Sequence, residues 1–170
     1  LILGPGPSCD QHAAAIKTYV NKSKPLVMAL NTVTSLETKL IDVRIACHPV
    51  RMLADLEYHS TLPQPLITPF SVLPKHLQMG LSGKKIYDFG LGITENDFEF
   101  FQMSCLLPSP LVLAYVFAVA VSGRAKNILM AGFDGYPMGD LRNKEMENML
   151  TCFKRQNIDL SITSVTPTTY

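Results

Sequence analysis

The chain has 170 residues, of which 47% are hydrophobic and 17% are charged. This composition excludes a disordered chain, and the length suffices for a single domain, residues 1–170, with a hydrophobic core. The formal net charge is +1, so the chain lacks the basic excess typical of nucleic-acid binding. The longest apolar run, residues 111–121, has about half of the ~20 residues that a bilayer span requires, so we expect no membrane span.

Apolar runs that end in polar or glycine-rich residues predict the strands. In chain order these are residues 1–3, 26–30, 43–47, 66–68, 85–89, 127–131 and 160–162. Segments with helical spacing of apolar residues, several with a capping residue in front, predict the helices. They are residues 8–20, 34–40, 49–56, 71–78, 111–121 and 142–156. The glycine-bearing stretch up to Asn96 predicts a mobile loop, and the run at 85–89 predicts an edge strand. This alternation predicts an α/β fold, a three-layer Rossmann-like domain with a mostly parallel sheet.

The first strand runs into Gly4-Pro5-Gly6-Pro7-Ser8, the stretch with the strongest functional signal. Glycine allows a ligand close to the main chain, and a helix N-terminus offers unpaired N–H groups and partial positive charge. Ser8 with Gln11 fits a capping box at the start of that helix. The pattern predicts a phosphate-binding loop with Gly4, Gly6, Pro7 and Ser8 facing a nucleotide-type ligand. The alternative is a purely structural turn.

This loop differs from the dinucleotide fingerprint, which would place a third glycine where the chain has Cys9. The second strand ends in Asn31 instead of the acidic residue that binds a ribose in those proteins. A bound NAD is therefore not expected, and no cofactor is predicted. Neither a P-loop nor a nucleophile elbow is present, so no motif predicts a reaction.

Other predicted strand ends carry further candidates, each with a structural alternative. Asn31 would bind a base, ribose or sugar, or else cap a turn. His48 would act as an acid/base group, or be a capping or core residue. Asp134 would contact a ribose, a sugar or a metal, serve as acid/base, or shape a turn, and Tyr136 beside it offers a stacking surface. Ser109 would hold a second anionic group, or cap the apolar helix.

Cysteine and histidine spacing gives no metal or redox motif. The four cysteines are far apart and lie among apolar residues, which predicts reduced thiols in the core and a cytoplasmic location: Cys9, Cys47, Cys105 and Cys152. Three histidines are predicted as surface residues of helices: His12, His59 and His76. No metal site is predicted.

Two blocks of sequence carry a resemblance to known families. Residues 3–8 resemble the GxGPS opening of the MptE-like domain of unknown function and of the Campylobacter-type sialyltransferases. Residues 108–136, in which Pro-Ser-Pro precedes an alanine-bearing helix and a strand ending in Gly-Phe-Asp, are similar to their second block. The sialyltransferases have a histidine after that block, whereas this chain has none after His76, so sialyl transfer is not implied.

A closer likeness is to the C-terminal domain that follows an HMG-CoA-lyase-like (4-hydroxy-2-oxovalerate) aldolase barrel in bacterial surface-polysaccharide proteins. Residues 131–136, 142–146 and 166–170 carry it. The resemblance implies a Rossmann-like domain at the C-terminal end of a longer protein, with an aldolase-type domain in the same polypeptide. It implies that Gly4, Gly6, Pro7 and Ser8 face a nucleotide and that Asn31 is the polar residue at the second strand end.

The sequence thus favours a nucleotide or nucleotide-sugar binding domain of bacterial lipopolysaccharide biosynthesis, accessory to the aldolase-type domain. One alternative is a glycosyltransferase-like or pyrophosphokinase-like enzyme that uses Asp134 or His48. Another is a non-catalytic docking or oligomerisation domain, which predicts a large exposed apolar patch.

Overall fold

The computed structural model describes residues 1–95 and 97–170. The strands, in chain order, are β1 Ile2–Leu3, β2 Met28–Leu30, β3 Val43–Ile45, β4 Leu66–Thr68, β5 Ile86–Asp88, β6 Gly90–Ile93, β7 Glu99–Phe100, β8 Ser104–Leu107, β9 Asn127–Ala131 and β10 Ser161–Ser164. The α-helices are α1 Pro7–Gln11, α2 Ala13–Ser23, α3 Pro49–Ala54, α4 Leu56–Thr61, α5 Lys75–Gly80, α6 Val112–Ser122 and α7 Leu141–Arg155. Two 3₁₀ turns cover Thr38–Leu40 and Phe70–Val72.

Seven strands form a parallel sheet in the order β10-β9-β1-β2-β3-β4-β5. Helices flank this sheet, which confirms the predicted α/β, three-layer Rossmann-like fold. The chain moves outward from β1 to β5, which is the edge strand as predicted, and then crosses to β9 on the other side of β1. The order therefore reverses between β1 and β9, and in open α/β sheets ligands bind beyond the strand carboxyl ends at such a point.

The most apolar helix, α6, packs against one face of the sheet together with α7. Residues 113–118 of α6 are all buried, and their cluster takes in Ile2 of β1 and Ile45 of β3. Phe117 of α6 meets Phe153 of α7 with ring centroids 4.9 Å apart. The opposite face is covered by two separate clusters, one around α2 and one around α5.

Two local predictions are wrong. The helix predicted at 34–40 is reduced to the turn at Thr38–Leu40. In the loop before this turn, the Val33 carbonyl accepts from Arg44 Nη1 at 2.7 Å. The predicted loop after β5 begins instead with β6, which pairs with β8 in a small sheet of order β6-β8-β7. Leu106 of β8 packs over Gly92 of β6, where a Cβ would lie 2.5 Å from a leucine methyl. Asn96, at the end of the predicted loop, lies outside the described residues.

All four cysteines are free and buried, as predicted. Burial raises the pKa of the Cys47 and Cys105 thiols to about 12, so neither forms a thiolate near neutral pH. Across the described residues, no helix has the length and apolar character needed to cross a membrane.

Candidate functional site

The glycine-rich loop after β1 is joined to the loop after β9. The N–H groups of Gly4 and Gly6 donate to the carbonyls of Ala131 and Gly132, both at 2.8 Å. A Cβ at Gly4 would lie 2.5 Å from the Gly132 carbonyl oxygen. A Cβ at Gly6 would lie 2.0 Å from a carboxylate oxygen of Asp134. The two glycines are therefore required by the close approach of two backbone segments.

Ser8 and Asp134 form the polar centre of this contact. Ser8 is buried, and its hydroxyl donates to Asp134 Oδ2 at 2.8 Å. The Ser8 backbone N–H also donates to Asp134, with Oδ1 at 3.2 Å. Asp134 itself is half-buried, so part of its carboxylate remains open to solvent. An internal carboxylate thus occupies the N-terminus of α1, where the sequence predicts a phosphate.

Thr166, just after β10, completes the network. Its Oγ1 lies 2.9 Å from Ser8 Oγ and accepts from the Gly132 N–H at 3.0 Å. An ionised carboxylate only accepts, so the Ser8 proton points to Asp134 and the Thr166 hydroxyl donates to Ser8. The hydroxyl groups of Ser8 and Thr166 are then both paired. We call Gly4, Gly6, Ser8, Asp134 and Thr166 the joint.

The joint corrects one prediction about this loop. Gly6 is the N-cap of α1 and Pro7 follows at its first turn, where a missing N–H is tolerated. The N-cap residue is therefore a glycine, which has no side chain to cap the helix, and Ser8 is not the capping residue of a Ser8–Gln11 box. The Ser8 hydroxyl is instead used for tertiary contacts.

Asn31 lies at the carboxyl end of β2 with a left-handed φ of 49°. Its N–H donates to the Ile45 carbonyl at 2.8 Å, and its own carbonyl accepts from Arg44. Within residues 1–95 and 97–170 its side-chain amide makes no hydrogen bond, so the predicted alternative of a side-chain cap is not realised. The half-buried amide remains available to a ligand.

His48 and Tyr136 occupy the same edge but differ in how they are held. His48 is exposed at the N-cap position of α3, and its side chain does not cap that helix. Tyr136 is fixed through its backbone by Asn143, and the Arg142 guanidinium stacks on its ring at 4.1 Å. That stack covers one face of the Tyr136 ring.

Ser109 precedes the N-terminus of α6. The neighbouring Pro110 carbonyl accepts from Cys47 Sγ at 3.6 Å, which places this loop beside the end of β3. The N-cap of α6 is Leu111, without a side-chain cap, so the alternative of Ser109 as the cap is wrong. Within residues 1–95 and 97–170, no side chain accepts from the first N–H groups of this eleven-residue helix, which lie at the carboxyl edge of the sheet.

A cleft of about 260 Å³ opens beside Ser109. Its polar lining residues are Glu95, Ser109, Glu145 and Asn148, and its apolar ones are Pro108, Met149 and Cys152. Thr94, next to Glu95, donates from its N–H to the Leu107 carbonyl at 3.0 Å, so the ends of β6 and β8 form one wall. The other wall is one face of α7, with i, i+3, i+4 and i+7 spacing at Glu145, Asn148, Met149 and Cys152.

The charge of this cleft changes the expectation for Ser109. Both glutamates are exposed acids, so a free anion in the cleft would be repelled. Carboxylate, amide and hydroxyl groups together suit a ligand that donates hydrogen bonds, such as a polyhydroxylated or cationic group. The described residues contain no group of three or more His, Cys, Asp or Glu side chains arranged to hold a metal ion.

The candidate residues thus fall into two groups. Ser8 and Asp134 are brought into direct contact, whereas Asn31, His48 and Ser109 lie further along the same edge without joining them.

The sequence did not indicate Thr166 or the residues of α7 that line the cleft. The helical spacing of Glu145, Asn148, Met149 and Cys152 was visible, but it fits an ordinary half-buried helix face equally well.

No protein-family model matches the chain, and neither does any curated protein or solved structure.

Proposed function

We propose that this domain binds a nucleotide sugar at the carboxyl edge of its parallel sheet. The observation that carries the proposal is the cleft beside Ser109, which adjoins the uncapped N-terminus of α6. Its volume of about 260 Å³ is just below the ~300–1,000 Å³ of sites that enclose drug-sized ligands. It suits one sugar residue better than a whole nucleotide.

The sugar part of the ligand is supported by the lining of the cleft. Hydroxyl groups of a sugar would donate to the carboxylates of Glu95 and Glu145, while Ser109 and Asn148 both donate and accept. The apolar side chains of Met149 and Pro108 would contact the ring carbons. An uncharged hydroxylated ligand also avoids the repulsion that two acids exert on phosphate.

The nucleotide part is supported by the polar groups that flank β1. Asn31 follows β2 and Asp134 follows β9, the two neighbours of β1 in the sheet. The Asn31 amide is free to bind a base or ribose, and the solvent-facing part of the Asp134 carboxylate would accept from a ribose hydroxyl. The free N–H groups at the start of α6 would face the phosphates.

The resemblance noted in the sequence extends the proposal to biological context. It supports an accessory role beside an aldolase-type domain in the same polypeptide, in bacterial surface-polysaccharide synthesis. We propose binding and not catalysis, because Asp134 is engaged by Ser8 and His48 has no side-chain hydrogen bond in the described part of the chain that would orient it.

Isothermal calorimetry with CMP-, UDP- and GDP-sugars tests the proposal, with the free nucleotides and free sugars as separate titrations. At least one nucleotide sugar should bind more tightly than its nucleotide alone. Glu145→Gln should weaken that binding about tenfold, as expected for losing a charge-assisted hydrogen bond. Glu147→Gln, an exposed residue of α7 that does not line the cleft, is the matched control. Absence of heat for every nucleotide sugar at millimolar concentration rejects the proposal.

A further inference from the structure

Arg44 is a fully buried cation in β3, only 1% exposed. Its Nε donates to Gln64 Oε1 at 2.9 Å, and its Nη1 donates to the Val33 and Asn31 carbonyls at 2.7 and 3.3 Å. All of these acceptors are neutral. Its Nη2 is buried with no hydrogen-bond partner in the described part of the chain. A buried charge without an ionic partner is strongly unfavourable.

His59 of α4 is also 1% exposed, and the Arg44 charge is near enough to lower the His59 pKa. Neither of its ring nitrogens has a hydrogen-bond partner among the described residues. This corrects the prediction of His59 as a surface residue. Desolvation, together with the charges of Arg44, Lys84 and Arg51, lowers the pKa of His59 to about 4, against the opposing effect of Asp55.

Lys84 adds a second cation from the segment before β5. It is half-buried, and its ammonium group donates to the Leu62 carbonyl, again a neutral acceptor. Desolvation and the charge of Arg44 lower its pKa. The acid of this region, Asp55, accepts from Arg51 at 2.8 Å and so is already paired. Basic groups therefore outnumber the acids available to them.

These polar residues lie where the two apolar clusters on this face of the sheet separate. We call the set the seam, and it consists of Arg44, His59, Gln64 and Lys84. One cluster contains Ile16 and Leu36, and the other contains Met52 and Leu77. Among the described residues no single apolar cluster crosses the seam. Separating α4 from the loop at 31–37, as entry of a phosphate requires, would break the Thr32–Asp55 hydrogen bond of 3.5 Å but no continuous core.

We propose that the seam is a subsite for a phosphate group, held by Arg44 Nη2, His59 and Lys84. A phosphate monoester carries about two negative charges near neutral pH, which matches the two cations, and its oxygens accept from all three side chains. Arg44 Nη2, which has no acceptor among the described residues, would gain a charge-assisted hydrogen bond. The subsite is separate from the cleft at Ser109, and inorganic phosphate alone should fill it.

The test measures the melting temperature of the whole protein in inorganic phosphate and in sodium chloride at matched ionic strength. Phosphate should raise the melting temperature in a saturable way that chloride does not reproduce. Lys84→Met and Arg44→Met should each weaken the apparent affinity about tenfold or more. Lys144→Met, an exposed change on α7, is the control and should leave the response intact.

Arg44→Met can fail to fold, so Lys84→Met and NMR of the native protein decide independently. The Arg44 Nε–H and His59 imidazole signals should shift on adding phosphate and saturate at the same concentration as the melting temperature. A parallel titration with a nucleoside monophosphate distinguishes a monoester from free phosphate, and a response to either supports the subsite. A response no greater than with chloride, or one unchanged in Lys84→Met, overturns it.

Discussion

Two helices, α1 and α6, begin at the same edge of the sheet, but their N-termini are used in opposite ways. At α1 the Asp134 carboxylate accepts from the Ser8 N–H and hydroxyl, and the Thr166 hydroxyl donates to the Ser8 oxygen. At α6 no side chain of the described residues caps the helix, and a cleft opens beside the preceding Ser109. The conspicuous Gly-Pro-Gly-Pro loop is therefore a closed contact, whereas the less conspicuous Ser109 loop is open to a ligand.

The closed contact has a mechanical role at the point where the strand order reverses. It fastens the loop after β1 to the loop after β9, and the C-terminal segment adds further bonds. Thr168 donates to the Phe133 carbonyl at 2.6 Å and Thr169 to the Asp134 carbonyl at 3.3 Å. We infer that the joint keeps the two halves of the sheet in register. The carboxyl edge of the sheet is then rigid next to the open N-terminus of α6.

The largest expected effect is on the joint itself. Gly6→Ala places a methyl group 2.0 Å from Asp134 Oδ2 and 2.7 Å from the Gly132 carbonyl oxygen. Because backbone and carboxylate must both move, we expect a loss of about 3 kcal/mol in the free energy of unfolding, measured in denaturant. Gly83→Ala, where a Cβ meets nothing within 4 Å, should change it by less than ~0.5 kcal/mol. Equal effects would show that the joint is not tightly packed.

The dependence of the unfolding free energy on pH tests the seam, where the buried His59 ring has no hydrogen-bond partner among the described residues. The pKa of His59 falls from 6.5 to about 4 on folding, so the fold favours the neutral ring. That contribution is full above pH 6.5 and is lost as the pH falls toward 4, a loss of about 3 kcal/mol. His59→Leu should flatten the unfolding free energy between pH 7 and pH 4.5. His76→Gln, at an exposed position, should keep the wild-type slope; a flat wild-type curve contradicts this account.

Removing one hydroxyl from the joint should have a smaller effect. Thr166→Val leaves the buried Gly132 N–H without its acceptor and the Ser8 oxygen without the donor at Thr166. We expect a loss of about 1–3 kcal/mol in the free energy of unfolding. Thr163→Val, on an exposed position of β10, provides the same chemical change without the buried contacts and should be near neutral. A Thr166→Val protein as stable as wild type would remove Thr166 from the network.

The sequence predicted all seven strands of the parallel sheet because apolar runs and their ends have local signals. Parallel strands bring their carboxyl ends to one edge, so the grouping of Gly4–Ser8, Asn31 and Gly132–Tyr136 at that edge also followed. The partner of Ser8 could not be predicted. Its contact with Asp134 spans 126 positions of sequence and depends on how two loops meet.

The polar interior was the least predictable part. Arg44 sits in a strand of otherwise apolar residues, and nothing local indicates whether such a side chain is buried or reaches solvent. His59 has helical neighbours typical of a surface helix, yet it is buried because α4 lies against the seam. The strands of the small sheet, β6, β7 and β8, were all missed. Glycines in β6 and the two-residue length of β7 carry weak local preference for a strand.

The smallest effect on stability, with a measurable effect on binding, is expected at Asn31. Asn31→Gly retains a residue that tolerates the positive φ and removes only the unpaired amide. The free energy of unfolding should change by less than ~1 kcal/mol, while affinity for the nucleotide sugar falls several-fold. Unchanged affinity in calorimetry would remove Asn31 from the ligand site.

The most direct measurement is a paired comparison of Ser8→Ala and Ser109→Ala, each examined by chemical unfolding and by calorimetric titration with the nucleotide sugar that binds wild type. Ser8→Ala should lose about 1–3 kcal/mol of stability and retain its affinity within about twofold, because its hydroxyl serves the joint. Ser109→Ala should retain its stability and bind about tenfold more weakly. The reverse pattern, with affinity lost at Ser8 and kept at Ser109, would contradict the assignment of the closed and open helix N-termini.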